Sequence, residues 1–279
     1  ENAKFLDEWI SHHLGLGVDL IILYDNSASR YDDTFGAPLP DIRFDGVSIN
    51  KHNVNYAEKL GKWADRDQVS AEIFRLLEKY GDALQVIKWE RKNELGVIAY
   101  FQKEAVRDFV LRFVGRIDYC VAIDTDEFLI SDRDWSIHDL VHSMEERGLG
   151  SVLLGQRRFL YRFASLDTTV REIPWCLKED AQSADYSAGK CVFSLRQFTG
   201  FSEPFYIHAI PSLTGMGKVD HRDMRFHHYG WPSFRDRASL ADFSSEELKF
   251  LESRFVRDES MFRYLTNASQ GSDSGRVEA

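Results

Sequence analysis

The chain has few of the features that define several large protein classes. Only three of its 279 residues are cysteines, namely Cys120, Cys176 and Cys191. An odd number without metal-type spacing supplies no disulfide framework and favours a reducing compartment. No apolar run approaches the roughly 18 residues of a membrane span, and no signal peptide is visible. We therefore expect a globular protein without a transmembrane segment.

Basic residues are also scarce. Lys and Arg number 35 against 45 Asp and Glu, which gives a formal net charge of -10. A chain without a net basic field has little with which to collect phosphates, and this argues against a nucleic-acid-binding protein. A smaller anionic ligand would need local cations or a metal ion.

The most informative pattern is the stretch 119–130, YCVAIDTDEFLI. Its first five residues are mostly apolar, which predicts a short strand buried on both faces, as in parallel sheets. Asp124 and Asp126 follow at the C-terminal end of this strand, where ligands of open α/β sheets bind. Because their side chains alternate with that of Thr125, both could face one crevice and clamp a divalent cation that also holds a diphosphate. The alternative is an acidic turn in which Asp124 caps the next segment.

Helices and strands alternate over the first 155 residues. Apolar patterns predict helices over 5–14, 67–80, 97–113 and 136–147, and strands over 18–24, 83–89, 119–123 and 151–155. Ser136 and Asp139 resemble a capping box at the start of the last of these helices. The alternation predicts an α/β protein with a doubly wound, mostly parallel sheet and helices on both faces. The chain opens with a helix, a loop and a strand, half of a βαβ unit, so the first strand is apparently missing.

Other regions are less regular. Residues 30–65 are predicted to form a long loop, and residues 160–240 are predicted to form short strands without a long helix. Ser244 and Glu247 form a capping box that predicts a helix from 244 to about 265. The polar segment 266–279 is predicted to be a disordered tail. We predict a single domain over 1–265, with one half at 1–155 and the other at 156–265.

Three motifs in this order carry a resemblance to a known family. They are ENAKFLDEWISHH at 1–13, GVDLIILYDNS at 17–27 and IDTDEFL at 123–129. Together they resemble the Glu-Trp-Ile helix, the Tyr-Asp-Asn turn and the Asp-x-Asp-Glu-Phe strand end of GT-A glycosyltransferases of families 2 and 92. The resemblance covers residues 1–130. It continues less clearly through Gly189-Lys190, Ile207-His208 and His228-Tyr229 to Ser233.

The resemblance implies a GT-A-like fold and a metal site. Asp124 and Asp126 would hold a divalent cation, Mn²⁺ or Mg²⁺, together with the sugar diphosphate. His228 would complete the metal shell, and His208 is a weaker candidate, since neutral imidazole suits manganese beside carboxylates. A structural histidine is the alternative for His228.

The resemblance also implies a nucleotide-sugar donor, a UDP- or GDP-sugar. Asp25 and Asn26 would contact the nucleoside, with an Asx turn as the alternative interpretation. Glu1, from the opening motif, is assigned to the donor as well. Residues 1–155 would then be the nucleotide-sugar-binding half and residues 156–265 the acceptor side.

Several polar side chains outside these motifs have two interpretations each. Gln102 lies on an otherwise apolar helix and faces either the site or solvent. Lys190 follows a glycine and either contacts phosphate or lies on the surface. Glu127 is expected to point away from the two aspartates and to bond the backbone or a basic side chain. His12 and His13 are expected to be a helix-surface and a helix-packing residue.

The catalytic base of an inverting transfer must be a carboxylate that deprotonates the acceptor hydroxyl while the metal stabilises the departing diphosphate. Glu179 and Asp180 lie in the irregular acceptor-side region and are the first candidates. Asp185 and Glu203 are rivals, and the sequence does not choose among the four.

The expected function is a metal-dependent glycosyltransferase that moves a sugar to a glycan or another hydroxyl acceptor, with inversion. One alternative is a phosphohydrolase of the haloacid-dehalogenase kind. That class also has a strand followed by Asp-x-Asp, but close to the N-terminus and with Thr or Val two residues after the second Asp. A non-catalytic sugar-binding relative is the other alternative. The expected location is cytoplasmic or membrane-peripheral, or the Golgi lumen if a targeting segment has been removed.

Overall fold

The computed structural model describes residues 5–26, 42–44, 47–49, 66–92, 101–159, 175–178, 185–201, 214–229, 245, 249, 253, 255–258, 260 and 261. Its helices are α1 (Leu6–Gly15), α2 (Arg66–Tyr80), α3 (Gln102–Phe113) and α4 (Ile137–Glu146). Its strands are β1 (Ile21–Asp25), β2 (Ile42–Phe44), β3 (Val47–Ile49), β4 (Leu84–Lys88), β5 (Tyr119–Val121), β6 (Glu127–Ile130), β7 (Ser151–Arg158), β8 (Trp175–Leu177), β9 (Asp185–Ser194), β10 (Met216–Lys218), β11 (Arg225–His228) and β12 (Phe255–Arg257). This part of the chain is a mixed α/β protein, as predicted. Within it, no helix combines the length and the apolar character needed to cross a membrane.

The main sheet has six strands in the order β5-β9-β7-β11-β6, with β10 beside β7. β7 pairs in parallel with β10 and β11, whereas the β5–β9, β9–β7 and β11–β6 pairs are antiparallel. β1 and β4 form a separate parallel pair. The prediction of a mostly parallel sheet is therefore wrong for the six-stranded sheet. β5 and β7 do run in one direction, but β9, from the less regular second half, lies between them and runs antiparallel to both.

Helices cover both faces of this sheet, as predicted. Neighbouring residues of β9 point to opposite faces, so that Val192 packs with Leu140 of α4 and Phe193 packs with Val110 of α3. Ile22 of β1 belongs to the same cluster as Phe193, so α3 also joins the β1–β4 pair to the six-stranded sheet. Each fully buried side chain of this kind contributes about 1.5–3 kcal/mol to the free energy of unfolding.

The strand that leads to the two aspartates differs from its prediction. β5 is only three residues long, is half-buried, lies at the edge of the sheet and pairs antiparallel with β9. The prediction of a buried parallel strand at this position is therefore wrong. The apolar run is explained by packing on both faces of the sheet. Cys120 packs in the hydrophobic cluster that contains Val110 of α3, and Val121 in the cluster that contains Leu140 of α4.

Two predicted helices have different bounds in the structure. α3 begins at Gln102, because Phe101 has the left-handed backbone angles φ 45° and ψ 50°; residues 97–100 lie outside the described part. In the C-terminal region Ser245, Lys249 and Ser253 are helical, but β12 follows and pairs antiparallel with β8. The prediction of a helix that continues to 265 is therefore wrong. Phe255 is buried where β12 pairs with β8, and this pairing requires an extended backbone.

Two smaller predictions can also be checked. The region 30–65 contains the antiparallel β2–β3 pair, so it is not entirely a loop. The capping box of α4 is confirmed: the N–H of Asp139 donates to Ser136 Oγ at 3.2 Å, and the N–H of Ser136 donates to Asp139 Oδ2 at 2.8 Å. The predicted tail at 266–279 lies outside the described residues.

Candidate active site

The acidic segment after β5 forms a tight turn with reciprocal hydrogen bonds. The N–H of Glu127 donates to the carbonyl oxygen of Asp124 at 3.0 Å. The N–H of Asp124 donates to Glu127 Oε2 at 2.8 Å. Glu127, not Asp124, is therefore the residue whose side chain caps the turn. This turn places the carboxylates of Asp124, Asp126 and Glu127 at one end of the six-stranded sheet.

Lys190 of β9 binds two of these carboxylates. Its Nζ atom lies 2.9 Å from Asp124 Oδ2 and 3.1 Å from Glu127 Oε2. The side chain of Lys190 is 4% exposed, which rules out the alternative interpretation of a surface lysine. Glu127 was expected to bond the backbone or a basic side chain, which is confirmed, but its expected direction away from the site is wrong. Its pairing with Lys190 explains why it turns inward.

Burial and mutual attraction shift the pKa values of this pair. Burial raises the pKa of Glu127 to about 7, although the positive charge of Lys190 opposes the shift. Burial alone would lower the pKa of Lys190, but Asp124 and Glu127 more than reverse this, so its pKa is raised. Lys190 is therefore a permanent cation in a site that is otherwise acidic.

The close approach of two strands positions Lys190. A Cβ atom at Gly189 would lie 2.4 Å from the carbonyl oxygen of Leu154 and 2.9 Å from Leu153 Cδ1. Only glycine fits at this position without a shift of the backbone. The pairing of β7 with β9 is irregular immediately afterwards, between Leu154 and Gln156.

Asp126 and His228 form a second pair of polar side chains, next to the pairing of Lys190 with Asp124 and Glu127. His228 Nε2 lies 4.0 Å from Asp126 Oδ2, and the two side chains are 27% and 13% exposed. His227 points to the opposite face, as predicted, where it is fully buried between Arg225 and Tyr229. The structure thus brings His228 to Asp126, as the resemblance implied.

The ligand chemistry of the Asp126–His228 pair fits a divalent cation. Two ligands at about 2.1 Å from one cation can be up to about 4.2 Å apart, so a separation of 4.0 Å is within reach. Elsewhere in the described part, as here, no group of three or more His, Cys, Asp or Glu side chains is arranged to hold a metal ion. The two oxygens of Asp124 bind protein side chains, Oδ1 that of Gln102 and Oδ2 that of Lys190.

Gln102 completes the surroundings of Asp124. Its Nε2 donates to Asp124 Oδ1 at 3.0 Å, so of the two interpretations of Gln102 the structure shows the inward-facing one. The preceding residue, Phe101, is held in the left-handed region, which costs a non-glycine residue roughly 1–2 kcal/mol. Such strain is concentrated at functional sites, and here it begins the helix that presents Gln102.

Arg158 is a site residue that the sequence analysis missed. Strand register places His228 opposite Glu127 of β6 on one side and opposite Arg158 of β7 on the other. Register partners on neighbouring strands are about 4.8 Å apart and project to the same face. The half-buried Arg158 therefore flanks His228. Its neighbour Arg157 pairs with Asp258 at 3.0 Å. The only signal in the sequence was an arginine at the end of a strand.

Asp25 and Asn26 lie at the end of β1, in the separate β1–β4 pair. The carbonyl oxygen of Asp25 accepts a hydrogen bond from the N–H of Trp89 at 2.9 Å. Tyr24 contacts the Trp89 ring edge to face and donates from its hydroxyl to Asp108 Oδ2 at 2.7 Å. These contacts place an aromatic pair beside Asp25 at this end of the β1–β4 pair.

The remaining predicted residues cannot be placed in the site. Glu1, Glu179, Asp180, Glu203 and His208 lie outside the described residues. Asp185 is the first residue of β9 and pairs with Gln156, while its side chain is outside the described part.

A separate concave surface lies near the opposite end of β5. This cavity has a volume of about 240 Å³ and is lined by Tyr119, Glu145, Gly148, Leu149, Ser194, Arg196 and Gln197. Its polar groups already bind one another: Tyr119 donates to Glu145, and Arg196 pairs with Glu145. The concentration of buried charge at the acidic turn makes that turn the better candidate for chemistry.

Comparisons with known proteins gave no match, either to a protein-family model or to a curated protein.

Proposed function

We propose that this chain is a metal-dependent glycosyltransferase with a GT-A-like fold that moves a sugar from a nucleoside-diphosphate donor to a hydroxyl acceptor, with inversion. One observation carries the proposal: Asp124, Asp126, Lys190 and His228 converge at one end of the sheet from three separate segments. Carboxylates, an imidazole and a buried ammonium together suit a cation and an anionic ligand that bind side by side. The resemblance of the three sequence motifs supports the same function.

Asp126 and His228 would hold the cation, Mn²⁺ or Mg²⁺. The cation would stabilise the charge that develops on the departing diphosphate. Asp124 is oriented by Gln102 and Lys190, so its carboxylate would position the cation and the donor sugar indirectly. The neutral form of the His228 ring is needed for this role, because a protonated ring cannot act as a ligand.

Arg158 would bind the diphosphate itself. It lies beside His228 on the same face of the sheet, so an anion bound to the cation at Asp126 and His228 would meet its guanidinium. A planar guanidinium group can donate two parallel hydrogen bonds to a phosphate. The pair fixes the orientation of the phosphate in addition to attracting its negative charge.

The nucleoside would lie at the end of the β1–β4 pair. Asp25 and Asn26 supply polar groups there, and Tyr24 and Trp89 hold the backbone of Asp25 in place. The base would come from Glu179, Asp180, Asp185 or Glu203, and Glu1 and His208 keep their proposed donor and metal roles. These assignments remain predictions.

A thermal-shift experiment with a matched pair of variants tests the proposal. The wild-type chain is incubated with UDP, GDP or inorganic phosphate, with and without Mn²⁺, and its melting temperature is measured. We expect stabilisation by UDP or GDP that requires Mn²⁺, and its loss in Asp126→Asn. The control is Asp134→Asn, an equivalent change at an exposed residue whose left-handed φ of 56° suits asparagine.

The possible outcomes separate the alternatives. A response to phosphate without the nucleotides would favour a phosphohydrolase. A Mn²⁺-dependent response to UDP or GDP without donor turnover would favour a non-catalytic binding protein. Equal stabilisation of wild type and Asp126→Asn would contradict the assignment of the metal site.

A further inference from the structure

The site already contains a cation of its own. Lys190 Nζ contacts Asp124 Oδ2 and Glu127 Oε2, while Gln102 donates to the other oxygen of Asp124. Both oxygens of Asp124 therefore have protein partners in the chain without ligand. The ammonium is almost fully buried, and β9 fixes its backbone through the close contact at Gly189.

The two halves of the site are electrostatically linked through Glu127. This carboxylate pairs with Lys190 at 3.1 Å on one side, and on the other side its register partner is His228, which lies beside Asp126. A divalent cation between Asp126 and His228 would thus share a poorly solvated environment with the Lys190 ammonium. Like charges repel strongly where little water screens them.

We propose that Lys190 is a positioning residue that makes cation binding depend on the diphosphate. In the free chain, the Lys190 ammonium satisfies Asp124 and Glu127 and disfavours a divalent cation at Asp126 and His228. A cation that arrives bound to a diphosphate brings oxygen ligands and negative charge of its own, so it does not need the carboxylates that Lys190 occupies. Cation and diphosphate therefore bind together as one complex. This inference rests on the proposed function and adds an order of binding to it.

The position of Lys190 in a paired strand keeps its ammonium beside Asp124. A lysine on a flexible loop could move away from Asp124 and leave the carboxylate to a metal. Lys190 instead extends from the middle of a paired strand, between Gly189 and the buried Cys191. Lys190 therefore keeps these two carboxylates occupied, and a cation at Asp126 and His228 has to bring further ligands with it.

Isothermal titration calorimetry with inorganic probes tests this order. The chain is titrated with Mn²⁺ alone and, separately, with preformed Mn²⁺–pyrophosphate complex, with thermal shift as a second readout. We expect wild type to bind the complex at least roughly tenfold more tightly than Mn²⁺ alone, within the usual range of coupling between sites. Lys190→Met should bind Mn²⁺ alone roughly tenfold more tightly than wild type and lose most of the preference for the complex. Lys190→Arg, which keeps the charge, should retain the wild-type order.

Lys190→Met leaves Glu127 buried without its counter-ion, so this variant could unfold. The double variant Lys190→Met with Glu127→Gln removes both charges and nearly preserves their volumes, and we expect the same tighter binding of Mn²⁺ alone. The inference is overturned if neither folded variant binds Mn²⁺ more tightly than wild type. If wild type still binds the Mn²⁺–pyrophosphate complex in that case, the proposed function survives without the ordered binding. If wild type binds Mn²⁺ in neither form, the proposed metal site fails and the inference fails with it.

Discussion

The indole N–H of Trp9 donates to the carbonyl oxygen of Glu127 at 2.7 Å and joins α1 directly to the acidic turn. β6 is the last strand of the six-stranded sheet, and side chains of α1 bind its outer edge in place of another strand. His12 Nε2 donates to the carbonyl oxygen of Leu129 at 2.6 Å, and the N–H of Leu129 donates to His13 Nε2 at 3.2 Å. Buried backbone groups at a sheet edge need such partners.

Replacing Trp9 with Phe should remove one of these partners and destabilise the fold. The carbonyl oxygen of Glu127 would lose its donor in a buried position, which costs about 1–3 kcal/mol in the free energy of unfolding. Urea denaturation measures this change. The control is Trp135→Phe, which makes the same substitution at a half-buried residue. An equal loss of stability in both variants would show that ring size, not the hydrogen bond, is what matters at Trp9.

The histidines of α1 should make the stability depend on pH. Both are buried, contrary to the expectation that His12 lies on the helix surface. Burial lowers the pKa of His12 from 6.5 to about 4, and it lowers the pKa of His13 well below its ordinary value. Between pH 6.5 and about pH 4 the unfolded chain binds a proton at His12 that the folded chain does not bind. Stability is therefore present above about pH 6.5 and is lost as the pH falls towards 4, by roughly 3 kcal/mol for His12.

Comparison of His12→Gln with wild type isolates this effect. Glutamine can still donate to Leu129 but cannot be protonated, so the variant should lose less stability than wild type between pH 7 and pH 4.5. Burial raises the pKa of Glu127, whose contribution has the opposite sign, but both proteins contain Glu127 and its effect cancels in the difference. His142→Gln, at an exposed position of α4, serves as the control. Parallel stability curves for wild type and His12→Gln would contradict the prediction.

The sequence predicted the local elements of the first half better than their arrangement. Three of the four early helices lie within two residues of their predicted bounds, because each has a continuous apolar stripe and a stop signal such as Gly81 or Gly148. Pairing between strands depends on contacts distant in sequence, and nothing in the pattern of β9 indicates that it lies between β5 and β7.

The same difference between local patterns and distant contacts is found at the candidate site. The Asp-x-Asp pattern indicated the acidic turn, and the resemblance named His228, which lies beside Asp126 in the structure. Arg158 was missed, and the direction of the Glu127 side chain was predicted wrongly, because both depend on which strands lie side by side in the sheet. For Lys190 the sequence left a surface position open, since a lysine binds buried carboxylates only when a distant strand brings it there.

Substitution of Gly189 by Ala should disturb the site through the backbone. The added Cβ would lie 2.4 Å from the carbonyl oxygen of Leu154, which cannot move without separating β7 from β9. Overpacking of this kind costs about 1–3 kcal/mol or more. Gly217→Ala is the matched control, because its nearest contact, 2.6 Å away, is the end of the flexible Leu149 side chain. Thermal denaturation should show the larger loss for Gly189→Ala, and equal losses would contradict this account.

The last prediction concerns His228 as a metal ligand. Its ring lies 4.0 Å from Asp126 and is partly exposed, in contrast to the fully buried His227. His228→Ala should weaken Mn²⁺ binding by removing one ligand, while Asp126 and the diphosphate keep the cation within reach. Nucleotide-dependent stabilisation, and donor turnover where it is found, should therefore return at high Mn²⁺ concentration. His221→Ala, a change at a half-buried histidine in the turn before β11, should leave the Mn²⁺ dependence unchanged. If His228→Ala lowers the melting temperature but keeps the wild-type Mn²⁺ dependence, His228 is a structural residue that packs beside Arg158 and Glu127.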